Sequence, residues 1–243
     1  MKKVLWETLR RTEFAAYVDA NAVVVIPVGS MEQHGRHLPV NTDTNCCFAI
    51  AKAAAEKLDD VPVLVLPPVW VGYSPHHMTL EHPEGSITLS YHTFSDVLTD
   101  IAAGIYAHGF RRILFLNGHG GNIPHVQSIR LKLWEEKGIP SVNAFTYWEL
   151  PGVPEAMRAM SRTDKGSIGH SGEFETSLEL LLQPELVDTT AAEWTSGVQG
   201  DPQAGSREKG QQLFEVVVDA LVALLRRYQA GEYEDDRGWR KDI

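Results

Sequence analysis

Glu32 and His34 stand two residues apart in the run Gly29-Ser30-Met31-Glu32-Gln33-His34-Gly35. In an extended segment such residues project to the same side, so a carboxylate and an imidazole here face one ion or two adjacent ions. Asp43 follows near the start of a predicted helix, where the dipole favours an anion; a plain helix cap is its competing reading. His119 lies in Asn117-Gly118-His119-Gly120-Gly121-Asn122, with little side-chain bulk around it, and a hydrogen-bonded structural histidine is the alternative there. A third polar cluster, Gly169-His170-Ser171-Gly172-Glu173-Phe174-Glu175, precedes another predicted helix. Two histidines and at least two carboxylates on such segments favour a divalent cation of hard or borderline character, Zn²⁺, Mn²⁺ or Fe²⁺. The glycines around His119 also admit a phosphate cradle built from backbone amides. That reading is the weaker one: the segment lacks the GK[ST] ending of a P-loop, and no GxGxxG follows the first predicted strand.

The elements that must position these residues follow from hydropathy. Ala22–Val28 is a continuous β-branched run ended by Gly29, the signature of a strand covered on both faces. Val63–Leu66, Ile113–Leu116 and Ser141–Thr146 repeat the pattern. Helices are predicted over Thr44–Leu58, Thr93–His108, Ile123–Lys137, Phe174–Leu182 and Leu213–Arg227. Strands alternating with helices imply βαβ units, hence an α/β fold: a three-layer sandwich around a mainly parallel sheet. In such sheets ligands bind beyond the carboxyl ends of the strands, where the polar clusters after the first and third strands fall. No repeat or linker divides the sequence, so residues 1–243 are expected to form one domain. The charged tail Gly231–Ile243 is expected to reach toward a neighbouring subunit.

Composition narrows the function classes. The 243 residues carry 22 Lys plus Arg against 32 Asp plus Glu, a formal net charge of −10, which argues against nucleic acid as a partner. No apolar run approaches the roughly 20 residues of a membrane span, so no membrane partner is expected. MKKVLWETLR has no apolar stretch after its lysines and does not read as a secretory signal. The two cysteines, Cys46 and Cys47, are adjacent and form no CxxC pair, so a reducing, cytoplasmic setting is expected.

Three segments taken in order resemble the creatininase (creatinine amidohydrolase) family: Ile26–Asp43, Asn117–Asn122 and His170–Ser177. The resemblance implies a β/α sandwich-like subunit, usually in a homohexamer. It also implies two divalent metal ions per subunit, zinc by preference with manganese or iron as alternatives, and hydrolysis of C–N bonds in small rings or amides. Carried onto this sequence, Glu32, Asp43 and His119 are ligands of one metal, and His34 with a bridging Asp43 holds the other. Creatininases place a glutamate two residues after the loop histidine, where this sequence has Gly121, and Glu173 is expected to supply the missing oxygen. His170 resembles the histidine that serves as acid or base beside the metals. Glu175 is either a residue behind the ligands or a helix-start carboxylate.

The chemistry expected of such a centre is attack by a bridging hydroxide on an amide, cyclic amide or formamide carbon of a small polar substrate. His170 would hand a proton to the leaving nitrogen. Tyr73, His76, Glu84 and Trp148 follow strand ends or stand near the site and are the expected substrate contacts. Glu84 departs from the family's usual run in the Glu81–Ile87 segment, which, with Gly121, makes creatinine itself doubtful as substrate. Ring opening of a keto-inositol, or a metal-bound subunit without catalysis, are the alternatives.

Overall fold

The computed structural model describes residues 3–140, 142–162 and 168–232. Four strands form one parallel sheet: β1 (Val23–Val28), β2 (Val63–Val65), β3 (Arg112–Asn117) and β4 (Val142–Thr146), in the order β2-β1-β3-β4. The helices are α1 (Phe14–Asp19), α2 (Thr42–Lys57), α3 (Tyr91–Ala107), α4 (Ile123–Lys137), α5 (Val153–Met160), α6 (Glu173–Leu182) and α7 (Arg207–Gln229). The expected sheet and its flanking layers are present. Ser141 and residues 233–243, which carried part of the fourth predicted strand and most of the charged tail, lie outside the described residues.

Alternation along the strands builds two cores. Val23, Val25, Leu114 and Leu116 turn toward α2, α5, α6 and α7. Val24, Ile26, Val28, Ile113 and Phe115 turn toward α3 and α4, with Phe14, Tyr17 and Val18 of α1 at the margin. Every residue of β1 and β2 is buried, which is why these strands read as continuous apolar runs rather than alternating ones. Pro27 interrupts the donors of a central strand without breaking the sheet. Its side of β1 faces the segment beyond the end of β2, where the Val69 N–H donates to the Pro27 carbonyl.

The strand order creates the site. After β1 the chain crosses to the face covered by α2, and after β3 it crosses to the face covered by α4. The two adjacent strands therefore send their following loops apart, leaving a crevice at their carboxyl ends. Gly29–His34 and Gly118–Asn122 occupy that crevice.

Two short helices escape the sequence reading. α1 has six residues and α5 eight, the latter opened by Gly152 in a left-handed conformation and by Pro154, so neither shows a sustained helical period. α7 starts at Arg207, well before the predicted Leu213, because the Ser206 hydroxyl accepts from the Lys209 N–H and caps a polar first turn.

Candidate metal centre

Glu32, His34, Asp43 and His119 are brought together from the β1 loop, the first turn of α2 and the β3 loop, and all four are buried. His34 donates from Nδ1 to the Glu32 backbone carbonyl at 2.9 Å, which leaves Nε2 as the bare nitrogen. That nitrogen faces Asp43 Oδ1 at 3.2 Å and Glu175 Oε2 at 3.7 Å. His119 Nδ1 faces the other Asp43 oxygen, Oδ2, at 3.0 Å and Glu32 Oε1 at 3.2 Å. Glu32 Oε1 and Asp43 Oδ2 are buried without a hydrogen-bond partner. Lone pairs of imidazoles and carboxylates crowded into one dry space repel each other unless positive charge lies between them. The donor set is thus a fit for divalent cations. Three overlapping groups offer atoms within 4.8 Å of one another: Glu32, Asp43 and His119; His34, His170 and Glu175, with Asp43 Oδ1 beside His34; and Glu32, His77 and His170.

Titration follows the same charges. Burial pushes His34 and His119 down, but the carboxylates of Asp43, Glu175 and Glu32 around His34, and of Asp43 and Glu32 around His119, raise each to about 10. Burial pushes Glu32 up, and the imidazoles of His119, His34 and His77 overcome it, leaving the carboxyl well below its usual range. Glu175 is raised to about 8, by burial first and by the negative charge of Asp43 and Glu32.

Local structure holds each ligand. The Ser74 hydroxyl donates to Glu32 Oε2 at 2.6 Å and orients its carboxylate. Asn117 brackets the His119 turn, donating to the His119 carbonyl at 2.8 Å and accepting its N–H at 3.2 Å. Asn122 ties three loops together, donating to the Gly29 carbonyl at 3.0 Å and accepting from the Tyr73 N–H at 2.9 Å. The asparagines of the glycine-rich loop thus serve to brace the His119 turn. Ser171 takes a left-handed backbone conformation, φ 57°, and its N–H donates to Glu175 Oε2.

Glu173 is the main departure from expectation. Its carboxylate is bound by the Lys209 ammonium, the Arg162 N–H and the Ser161 hydroxyl, away from the cluster. Glu175, two residues on, is the residue that reaches His34. The reason is helix geometry: residues two apart on α6 lie on different sides, so only one of the pair can face the crevice. Gly121 cannot carry a carboxylate as the structure stands. A Cβ there would come within 2.4 Å of His119 Nε2 and 2.6 Å of the Tyr73 carbonyl.

A cavity of about 320 Å³ opens on the cluster, lined by His76, His77, His119, Trp148, His170 and Gln199 among others. Of the expected substrate contacts it includes His76, whose ring stacks on His119 at 5.7 Å, and Trp148. Tyr73 does not line it, because its ring packs against Tyr91 and His125. Glu84 does not either. It lines a separate outer cavity with Arg36, Glu81, His82 and Trp194. His170 stands at the cavity wall, donating from Nε2 to the Gln33 carbonyl at 2.8 Å, with Nδ1 at 3.5 Å from Glu32 Oε1. Burial and the charge of His34 lower it to about 3, so it stays neutral. His77, which follows the second strand beside His76, also lines the cavity, with Nε2 at 3.2 Å from Glu32 Oε1.

Comparison with known proteins agrees with this arrangement. The family model described as creatinine amidohydrolase matches residues 7–225. The creatinine amidohydrolase of Pseudomonas putida is 30% identical over 93% of this chain and 97% of its own length. The 3-dehydro-scyllo-inosose hydrolase of Thermotoga maritima is 27% identical over 94% of this chain and 86% of its own. A solved structure titled as a manganese creatininase superposes with a TM-score of 0.80 at 29% identity, covering 93% of this chain and 98% of that one. With its parallel sheet, its crevice and its buried acid–imidazole cluster, this chain belongs to the creatinine amidohydrolase family of metal-dependent hydrolases.

Proposed function

We propose that this chain, as a single domain, is a two-metal hydrolase that cleaves the C–N bond of a small polar amide, cyclic amide or formamide. The observation that carries the reading is the division of Asp43 between two ligand groups on the floor of a small open cavity. Glu32, Asp43 Oδ2 and His119 Nδ1 would hold one cation; His34 Nε2, Asp43 Oδ1 and Glu175 would hold the other. Two such cations, when bound, supply the polarisation that readies water for attack and stabilises charge on the substrate oxygen. Ser74 keeps Glu32 turned inward, and Ser171 does the same for Glu175. His170 holds a bare Nδ1 toward the cavity, where it takes a proton and passes it to the departing nitrogen.

The cavity volume of about 320 Å³ is at the lower end for ligand sites and favours a small ring or short amide over an extended peptide. A closed coordination shell would suit a structural metal, whereas a cavity open on the ligand groups suits turnover. The family resemblance points to assembly into a homo-oligomer, a hexamer. Elemental analysis of the purified protein, followed by a turnover screen over cyclic amides, formamides and keto-inositols, tests the proposal. Two equivalents of metal with turnover of a C–N substrate support it. Metal-free protein that retains full turnover refutes it, and turnover confined to keto-inositols moves the reaction to ring opening at carbon.

A further inference from the structure

Gln33 lies between the candidate ligands Glu32 and His34, is buried, and belongs to none of the three groups that could hold a cation. Every polar group it owns is engaged. Its N–H donates to the Ser86 hydroxyl at 2.9 Å. Its side-chain Oε1 accepts the Gly35 N–H at 2.9 Å, which fixes the orientation of the amide, because an NH₂ group cannot accept an N–H. Nε2 is therefore the end that meets His77 Nδ1 at 3.3 Å, and there it must donate. An imidazole nitrogen that accepts carries no proton, so the proton of neutral His77 sits on Nε2. That nitrogen faces Glu32 Oε1, a carboxylate oxygen of the cavity lining 3.2 Å away that has no hydrogen bond from it.

The backbone of the same residue acts on His170. The Gln33 carbonyl can only accept, so His170 Nε2 donates to it at 2.8 Å and Nδ1 is left bare, 3.5 Å from the cavity-lining Glu32 Oε1. The two rings are neighbours, with centroids 4.4 Å apart. Both carry the proton on Nε2, yet they are held end for end: one shows the cavity an N–H, the other a lone pair.

We propose that Gln33 is a positioning residue that locks this pair, making His77 the hydrogen-bond donor to the substrate carbonyl oxygen and His170 the adjacent acceptor. The assignment of substrate roles rests on the hydrolase reading above; the locked tautomers do not. A donor aimed at a carbonyl oxygen contributes most as negative charge develops there, which gives His77 a part in the reaction separate from metal binding.

The test is two-bond ¹H–¹⁵N correlation on the zinc-loaded full chain with ¹⁵N-labelled histidine, the two rings assigned through H77Q and H170Q. The wild type is expected to show His77 protonated on Nε2 and bare on Nδ1, and His170 likewise. In Q33E a carboxylate that can only accept replaces the amide donor, so His77 is expected to gain a proton on Nδ1. His170, held by the backbone, is expected to keep its pattern. Should Q33E fail to fold, Q33M serves in its place, and His77 is then expected to average between tautomers. A wild-type His77 protonated on Nδ1, or a variant spectrum in which His77 does not change, overturns the proposal. Zinc content measured on the same samples tests the metal reading separately. The expected tautomers without bound zinc would overturn that reading and leave the role of Gln33 standing.

Discussion

Asp43 divides its carboxylate between the two ligand groups, Oδ1 toward His34 and Oδ2 toward His119, so its replacement should empty both. Asp43→Asn substitutes a hydrogen-bond donor for one of those oxygens. Bound metal, read by elemental analysis, is expected to fall to near zero, and turnover by more than about 100-fold. The two α6 carboxylates separate cleanly by the same measurement. Glu175→Gln is expected to lose about one metal per subunit. Glu173→Gln is expected to keep both, but to lose stability on the order of 1–2 kcal/mol in denaturant unfolding, because the half-buried Lys209 ammonium loses its carboxylate and keeps only the Ala204 carbonyl. The histidines set the pH dependence. His34 and His119 are raised to about 10 in the metal-free protein, and each must give up its proton to bind a cation. Apparent metal affinity should therefore rise with pH up to that value, by about tenfold per unit for each proton displaced. Conversely, the stability these two protonated rings give the metal-free fold is full below their unfolded value near 6.5 and is lost as pH rises through about 10, observable as a falling melting temperature in chelator.

Among the elements, the two site loops depend on glycines for their approach. A Cβ on Gly118 would meet the Asp43 carbonyl and the Cys47 side chain at 2.7 Å, so only glycine lets the β3 loop lie on the first turns of α2. Gly118→Ala is expected to cost about 1–3 kcal/mol in chemical denaturation, as overpacking does. Gly121→Ala presses instead on His119, which should weaken metal binding by about 10- to 100-fold in a competition titration with little change in the sheet. The β-branched runs were legible because each strand is buried on both faces, and α2, α3 and α4 because each is long and carries a local signal: the alanines of α2, the apolar spacing of α3 and the Gly138 stop of α4. α1 and α5 were not, since a helix of two turns held by tertiary contacts leaves almost no period to read.

At the scale of the whole molecule, the sheet order places the β1 and β3 loops side by side at the switch between the two helical layers. α6 closes the site from below: Phe174 and Leu178 anchor it in the first core while Glu175 faces His34. Cations held between β1, α2, β3 and α6 would bridge elements that otherwise meet only through packing. Stripping each of them with chelator should lower stability by about 2.7 kcal/mol relative to a metal concentration 100 times its dissociation constant. For a chain of this size that corresponds to roughly 5–10 °C in melting temperature, recovered on adding zinc or manganese back. The described residues contain no helix long and apolar enough to cross a membrane.

Taken alone, the sequence determined the alternation of strands and helices, the carboxyl-end location of the polar loops, and the grouping of Glu32, His34, Asp43 and His119. The first two are local quantities, read from hydropathy runs, glycine spacing and short motifs; the grouping came from the ordered resemblance of three separated segments to one family. Tertiary structure alone decided which α6 carboxylate joins the cluster, since Glu173 and Glu175 differ only in the side of the helix they occupy, and Lys209, distant in the chain, claims one of them. It also decided that His77 enters the cavity while the Tyr73 ring and Glu84 do not. Those choices depend on how a long segment without regular structure folds back over the strand ends, where packing between elements far apart in sequence outweighs any local preference.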